Sequence, residues 1–243
     1  MSNTQTSTFT DSALSDKVKQ FLTRFKDKQG NYRYVDAIDS MMPKNAKYIV
    51  VDYNDLVTEP EIEIIFSENP DRIFDAFGRA IKEALQTRFP GYAEKIKEEV
   101  RVRIANFPLE RSLRQINAET IGNITSVSGM VVRASEVKPL AKELVFTCPD
   151  EHITKIIQLK GMDAKIPVIC DNPSCKQRDF ELKPEASKFI DFQILRLQEL
   201  PEDLPPGQLP HYVDVTIRQD LVDNSRPGDR IILTGVVRVE QES

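Results

Sequence analysis

Residues 148–152 read CPDEH, and residues 170–175 read CDNPSC. These two segments contain all three cysteines of the chain and one of its two histidines. Pairs of soft ligands on tight turns, joined by an insert that brings the turns together, are typical of tetrahedral zinc sites. Three thiolates and one imidazole fill four positions, so the pattern predicts a closed, structural Zn²⁺ site. Its predicted ligands are Cys148, His152, Cys170 and Cys175.

The spacing of these residues leaves two alternatives open. Three and four residues separate the ligands within the two pairs, whereas about two is usual and up to about four occurs. The cysteines could instead be reduced thiols, with His152 on the surface. A disulfide is disfavoured, because the cysteine count is odd and the polar start of the chain reads as a frayed terminus rather than a secretory signal.

Composition bounds the class of protein. The chain has 243 residues, of which 40% are hydrophobic and 29% are charged; this suits a soluble globular protein of one large or two small domains. No apolar run is long enough to span a membrane, so we expect no membrane partner and a cytoplasmic, nucleoid-associated location. The net charge of −5 weighs against strong nucleic-acid binding by an isolated copy, although an oligomer could align several basic stripes.

Residues 1–104 are predicted to form a helical subdomain. Apolar residues recur there at helical spacing, and we interpret these stripes as core. The longest helix is predicted to begin at the Asn-Pro pair 69–70 and to stop at the Pro-Gly pair 90–91. A shorter helix over residues 34–42 is predicted to end at Pro43.

From Val100 onwards, alternation of apolar and polar residues predicts strands instead of helices. The main predicted strands are residues 124–137, 143–148, 153–160, 180–183, 189–197, 212–218 and 230–239. Five to six barrel strands without a long helix favour an oligonucleotide-binding (OB) fold, and a Greek-key barrel without a ligand is the alternative.

The predicted fold class is therefore α+β. An N-terminal helical bundle, residues 1–104, is followed by an OB-fold β-barrel made of residues 105–141 and 183–243. A zinc-binding β subdomain, residues 142–182, is inserted into the barrel.

No catalytic residue is expected in this chain. None of the nine glycines is followed by lysine, so the phosphate-binding loop of an ATPase is missing. The Gly-x-Ser-x-Gly motif of hydrolases is missing as well, and the cysteines are assigned to the metal.

Basic residues on the predicted barrel strands are the candidate nucleic-acid contacts. Three lie on the second long strand and the loop after it, and two lie on the strand that leaves the zinc insert. A barrel face is the common nucleic-acid surface of OB folds, although charge on a strand face is often only solvated. The candidates are Arg133, Lys138, Lys142, Lys188 and Arg196.

Several stretches, taken in order, resemble the N-terminal half of archaeal minichromosome maintenance (MCM) proteins, which are replicative DNA helicases. They are residues 102–108 (VRIANFP), 121–133 (IGNITSVSGMVVR), 136–139 (EVKP), the two ligand pairs, 189–193 (FIDFQ), 197–210 (LQELPEDLPPGQLP) and 220–230 (DLVDNSRPGDR). The resemblance is close from Val100 onwards and rests on layout alone before it.

The resemblance implies a collar that forms rings, usually hexamers, around single-stranded and double-stranded DNA, and that can meet a second ring head to head through the zinc subdomains. By position, Arg133 and Lys138 match the single-strand-binding residues of the family. The proline-rich stretch with Gln198, Glu199 and Gln208 resembles its allosteric communication loop, which touches the AAA+ motor domain.

ATP and Mg²⁺ are expected only in that motor domain, which we expect to lie outside this chain together with a DNA-binding hairpin of the family. A zinc-ribbon plus OB-fold module of translation or transcription, binding RNA or protein, is the alternative. A purely structural assembly collar with negligible DNA affinity is a further one.

Overall fold

The computed structural model describes residues 10–96, 100–108, 110–157 and 167–239 of the chain. It divides into two compact units. We call residues 1–128 together with 232–243 the helical unit, and residues 129–231 the sheet unit. These units differ from the three predicted subdomains, whose boundaries stay predictions.

The helical unit contains the predicted helices and a short parallel sheet. Strands β1 and β2 pair in parallel, and the chain between them forms a crossover of helices, as a parallel connection requires. The helices are α1 (Asp11–Arg24), α2 (Arg33–Asp39), α3 (Met41–Lys44), α4 (Tyr53–Leu56), α5 (Pro60–Glu68), α6 (Pro70–Arg88) and α7 (Pro90–Lys95). The strands are β1 (Tyr48–Asp52), β2 (Arg101–Ala105) and β3 (Glu110–Arg111), and β3 pairs with the first half of β4 (Ile124–Ala134).

Helix α6 forms the centre of the helical unit. It begins where predicted: the Asn69 side chain accepts a hydrogen bond from the Arg72 amide at 3.4 Å, and Pro70 occupies the first helical position. One apolar stripe of α6 is fully buried, and the Phe77 ring meets the Phe21 ring edge-to-face at 6.2 Å. Gly78 allows close packing, because a Cβ there would lie 3.1 Å from the Val100 carbonyl oxygen.

The short second helix was predicted wrongly at its end. Helix α2 ends at Asp39, and a separate helix, α3, contains Pro43 instead of stopping before it. Pro43 is the third residue of α3, within the first turn, where amide groups have no intrahelical acceptor and a missing N–H costs nothing. The chain leaves α3 through Asn45 in the left-handed conformation, with φ of 49°.

The sheet unit is organised around β8 (Lys188–Gln198), and every pairing to β8 is antiparallel. One edge of β8 pairs with β9, and the other edge pairs first with β5 and then with the second half of β4. Strands β6 and β7 both pair with β5. The remaining strands are β5 (Lys138–Thr147), β6 (Ile153–Ile157), β7 (Glu181–Leu182), β9 (Tyr212–Arg218) and β10 (Arg230–Val236), of which β10 only begins in this unit.

Two details of the sheet unit bear on the predictions. Strand β5 begins at Lys138 and not at residue 143, because residues 138–141 pair with β8; Pro139 is tolerated near the strand start. The predicted turn at residues 226–229 is confirmed, since the Asp229 amide donates to the Arg226 carbonyl at 3.0 Å and Gly228 has φ of 99°. The predicted strand over residues 153–160 is described only to residue 157.

Candidate functional site

The four predicted metal ligands come together in the sheet unit. Their ligand atoms all lie within 4.8 Å of one another. The Cys148 sulfur is 3.9 Å from the sulfurs of Cys170 and Cys175, and 3.5 Å from Nδ1 of His152. The three cysteines are buried and the histidine is half-buried.

These distances fit a tetrahedral zinc ion. Bond lengths of about 2.3 Å to sulfur and about 2.0–2.1 Å to nitrogen place neighbouring ligand atoms of a tetrahedron about 3.5–3.8 Å apart. The three separations measured from the Cys148 sulfur agree with this geometry, and the other ligand atoms lie within 4.8 Å of one another. Three sulfurs with one imidazole are donor types that zinc prefers. Because all four positions are protein ligands, the cluster suits a structural ion rather than a catalytic one.

Two backbone turns position the ligands. Cys148 directly follows β5 and His152 directly precedes β6, so the first pair spans the turn between two antiparallel strands. Within it the Cys148 amide donates to the His152 carbonyl at 3.1 Å, and Glu151 adopts a left-handed φ of 60°. In the second turn the Cys175 amide donates to the Asn172 carbonyl at 2.9 Å. Each turn thereby presents two ligands on one side.

The closeness of the ligands shifts the pKa values of Cys148 and Cys175 in opposite directions. Burial opposes ionisation of Cys148, but hydrogen bonds from the His152 and Asp150 amides and from the His152 ring outweigh it and lower its pKa to about 7. A backbone hydrogen bond from Gln177 favours the Cys175 thiolate, yet burial, the Asp150 carboxylate and the other two sulfurs raise its pKa to about 12. Thiols this close cannot all ionise without a cation between them.

Two further side chains touch the ligands, and the sequence pattern did not identify them. The Asn172 side-chain nitrogen lies 2.9 Å from Nε2 of His152, while its oxygen accepts from the Ser174 amide at 3.0 Å. The Asp150 carboxylate lies 3.3 Å from the Cys175 sulfur. Both residues lie between the ligands of a pair, and that position was the only available signal in the sequence.

A second candidate site is the outer face of the sheet around β8. The neighbours of Arg196 in β8, Leu195 and Leu197, point to the other face and are buried, whereas Arg196 is exposed. Pairing register places Arg133 of β4 on one side of Arg196 and Asp214 of β9 on the other. We call Arg133, Arg196 and Asp214 the charged row.

The five predicted nucleic-acid contacts differ in their surroundings. Arg133 and Lys138 are exposed, and neither has an ion-pair partner among the described residues. Lys188 instead forms an ion pair with Glu143 at 2.6 Å. Arg196 forms a two-pronged ion pair with Asp214, and Lys142 is half-buried at an irregularity of β5.

Asp214 is a residue that the sequence reasoning missed. The Arg196 guanidinium holds the pKa of the Asp214 carboxyl below its usual range, and the nearby charge of Arg133 acts in the same direction. Lys138 lies on the same face as Arg196. It pairs with Phe192 of β8, which is four residues from Arg196, and Phe192 pairs in turn with Arg218 of β9.

The proline-rich stretch after β8 is closed at its base by Glu199. This side chain is only 2% exposed, and its carboxylate accepts from the His211 amide at 3.3 Å. The Glu199 amide in turn donates to the His211 carbonyl at 3.0 Å. Gln198 is half-buried at the end of β8, and Gln208 is exposed within the stretch. The loop is thus tied off where it leaves the sheet.

The architecture defines a class of protein, in which a helical domain precedes an antiparallel sheet domain that carries an inserted cysteine cluster and a cationic outer face. Family models agree with it: the MCM N-terminal domain matches residues 15–106, and the MCM OB domain matches residues 112–241. The predicted combination of helices with an OB domain is thereby confirmed. The chain belongs to the MCM family.

Individual relatives agree with the family assignment. Over 240 residues, 92% of the chain, it is 31% identical to the minichromosome maintenance protein MCM of Saccharolobus solfataricus. It is 31% identical over 93% of its length to the DNA replication licensing factor mcm2 of Schizosaccharomyces pombe. The chain spans 33% and 27% of these two relatives. Because eukaryotic members match as well, the archaeal assignment stays a prediction.

Among the described residues, no helix combines the length and the apolar character that crossing a membrane would require.

Proposed function

We propose that this chain is the N-terminal collar of a ring-forming replicative DNA helicase. In that role it supports hexamer assembly, and it binds single-stranded and duplex DNA in the central channel. The observation that carries DNA binding is the pair Arg133 and Lys138, two exposed cations on one sheet face with no ion-pair partner among the described residues. Such cations can bind a phosphate without first breaking an ion pair within the protein.

The names of the relatives support the replicative role, since they are called minichromosome maintenance and DNA replication licensing proteins. In this proposal the cysteine cluster holds one structural Zn²⁺, which folds the insert. ATP and Mg²⁺ act in an AAA+ motor domain of the whole protein. The tied-off loop with Gln198, Glu199 and Gln208 contacts that motor, and pairs of hexamers meet head to head.

A purely structural collar is the second candidate. The net charge of −5 favours it, as does the internal pairing of Lys188 and Arg196. An RNA-binding module would instead prefer RNA over DNA, because the 2′-hydroxyl is the group that distinguishes them.

The test is the double substitution Arg133→Ala, Lys138→Ala, with binding of a labelled oligo-dT followed across a salt titration. Single-copy affinity is expected near the non-specific range of about 10⁻⁴ to 10⁻⁶ M. Each phosphate contact on a single strand contributes about 0.7 to the salt slope, so the double variant should bind more weakly with a slope flatter by about 1.4. An oligo-U arm tests the RNA alternative.

The matched control is Arg79→Ala, Lys82→Ala, which removes one arginine and one lysine from the exposed side of α6. The two doubles change the net charge equally, so only a contact at the sheet face separates them. Equal binding curves for both doubles would leave the structural collar as the better description. Loss of ring assembly in the first double would instead assign Arg133 and Lys138 to a subunit contact.

A further inference from the structure

Arg196 differs from Arg133 and Lys138, because one edge of its guanidinium is already engaged by a carboxylate. Its Nε donates to one oxygen of Asp214 at 2.7 Å, and its NH2 donates to the other oxygen at 2.7 Å. The two residues face each other across β8 and β9 in direct register. Arg133, directly opposite Arg196 on β4, has no such partner among the described residues.

The geometry of this pair matters for DNA binding. The planar fork of a guanidinium makes the same two parallel hydrogen bonds to a carboxylate and to a phosphate. Asp214 therefore occupies the Nε edge of Arg196, which is one of the two edges that can make this paired contact with a backbone phosphate. A strand lying along the charged row would meet Arg133 as an open donor and Arg196 with its Nε edge occupied by Asp214.

We propose that Asp214 is an internal phosphate mimic: its carboxylate binds the guanidinium of Arg196 in the free protein, and a DNA phosphate displaces it when DNA binds. The inference rests on the proposed DNA-binding function and adds its regulation: the exchange of carboxylate for phosphate sets the affinity and the salt dependence of the sheet face. The ligand class is a single-stranded polynucleotide backbone, and the recognition is independent of base identity.

The exposure of the pair makes exchange feasible. The side chains of Arg196 and Asp214 are 46% and 42% exposed. Solvent-exposed ion pairs typically shift an equilibrium by about 5-fold or less, and a phosphate offers Arg196 the same two-pronged geometry as Asp214, so the two acceptors compete. A deeply buried pair would be a fixed structural element, because removing one partner would strand a charge.

A structural role for Asp214 is the competing explanation. Two arginines directly opposite each other on neighbouring strands repel, and a carboxylate beside them relieves that repulsion. In this case Asp214 would stabilise the sheet, and its removal would lower the melting temperature without improving DNA binding. The two roles thus predict different measurements on the same variant.

The experiment uses Asp214→Asn, which keeps the size of the side chain and removes its charge. We expect oligo-dT binding to tighten about 2- to 5-fold, with a salt slope steeper by about 0.7 as one more phosphate is contacted. Arg196→Ala should weaken binding only slightly alone, and it should abolish the whole gain when combined with Asp214→Asn. This non-additivity is expected if Asp214 acts by occupying the guanidinium of Arg196.

The matched control is Asp191→Asn, which removes the same charge from an exposed position five residues from Arg196 on β8, on the opposite face. An equal gain in this control would overturn the inference, because it would show a general effect of net charge. A gain in Asp214→Asn that survives Arg196→Ala would overturn it too.

The remaining outcome separates this inference from the proposed function. If Arg133→Ala, Lys138→Ala weakens binding but Asp214→Asn changes only thermal stability, the DNA-binding face stands and the phosphate mimic does not. If the Arg133 and Lys138 double leaves binding unchanged, the proposed function itself fails. Zinc content and melting temperature are measured on every variant, so a misfolded protein is recognised.

Discussion

The helical unit and the insert around the cysteine cluster, residues 142–182, are stabilised by different means. The helical unit has a continuous apolar core, in which Phe66, Phe77 and Tyr34 are fully buried. The corresponding cluster in the insert consists of Cys148, Cys170 and Cys175, with Phe180 packed against it. Leu144, Val145 and Phe146 of β5 are also buried, but several apolar side chains nearer the ligands face solvent, and Val168 is 79% exposed.

The difference predicts which part of the chain would depend on the proposed metal. A segment of about forty residues rarely buries enough apolar surface to fold alone, and a metal commonly supplies the missing stability. Burial of large side chains in the helical unit contributes about 1.5–3 kcal/mol each, so that unit has no such need. We therefore expect the turns that carry the four ligands to depend on the metal more than the helical unit does.

We expect the largest loss of structure when the metal is removed. Zinc binding of a structural site is worth about 10–16 kcal/mol, so chelation or Cys170→Ser should release the insert from its folded state. Hydrogen exchange is expected to speed up from β5 to β7, while α6 stays protected. Elemental analysis of the untreated protein should give one zinc per chain.

The control for this substitution is Ser174→Ala, in the same turn but outside the ligand set. It should retain both zinc and protection. The prediction is wrong if protein purified without chelator contains no zinc and its insert is still protected from hydrogen exchange. The insert would then be stable by packing alone.

A core substitution in the helical unit tests the other half of the comparison. Phe77→Ala removes a fully buried ring from the centre of the core, which typically costs about 3–5 kcal/mol. Urea unfolding should show that loss for the helical unit, with zinc content unchanged. Ile64→Ala, at an exposed position of α5, should cost far less; equal losses would mean that burial does not set the stability of this unit.

Sequence patterns predicted much of the helical unit because its signals are local. The apolar stripe of α6 repeats with the helical period, and Asn69-Pro70 is a start signal that needs no distant partner. Pro43 was misread because a proline that stops a helix and a proline in the first turn of the next helix look alike in one dimension. The early start of β5 was missed for a different reason: Pro139 has low strand propensity, and pairing with β8 decides the outcome.

The two candidate sites also differ in whether local sequence signals identify them. Cysteine and histidine are rare in this chain, so their spacing alone pointed to a cluster that the structure brings together. The DNA-binding candidates were chosen by charge, and charge does not reveal which cations are already paired. Asp214 became visible only through the register of β8 and β9, because residues 196 and 214 are linked by tertiary pairing and not by any local pattern.

The smallest expected effect concerns the contact that supports the metal. A zinc ion on Nδ1 of His152 leaves the proton on Nε2, which then needs an acceptor. The Asn172 carboxamide has one oxygen, and the Ser174 amide already uses it. If the Asn172 amide rotated by 180°, its oxygen would accept from Nε2 of His152 but would no longer accept from the Ser174 amide. In this geometry asparagine therefore accepts from only one of the two donors at a time.

The test is a pair of substitutions at this position, Asn172→Ala and Asn172→Asp. Removing a partner of a zinc-bound histidine typically costs about 10-fold or more in metal affinity, so Asn172→Ala should lose zinc about 10-fold more readily to a competing chelator. The two oxygens of an aspartate can accept from Nε2 of His152 and from the Ser174 amide together, so Asn172→Asp should retain zinc better than the unchanged protein.

The matched control is Ser174→Asp, which adds the same charge to the same turn without a contact to His152. If both aspartate variants retain zinc equally well, the gain reflects charge near the cation and not the hydrogen bond. If Asn172→Asp loses zinc faster than the unchanged protein, repulsion from the three thiolates outweighs the acceptor. In either case α6 should remain protected from hydrogen exchange, because the helical unit draws its stability from its own apolar core.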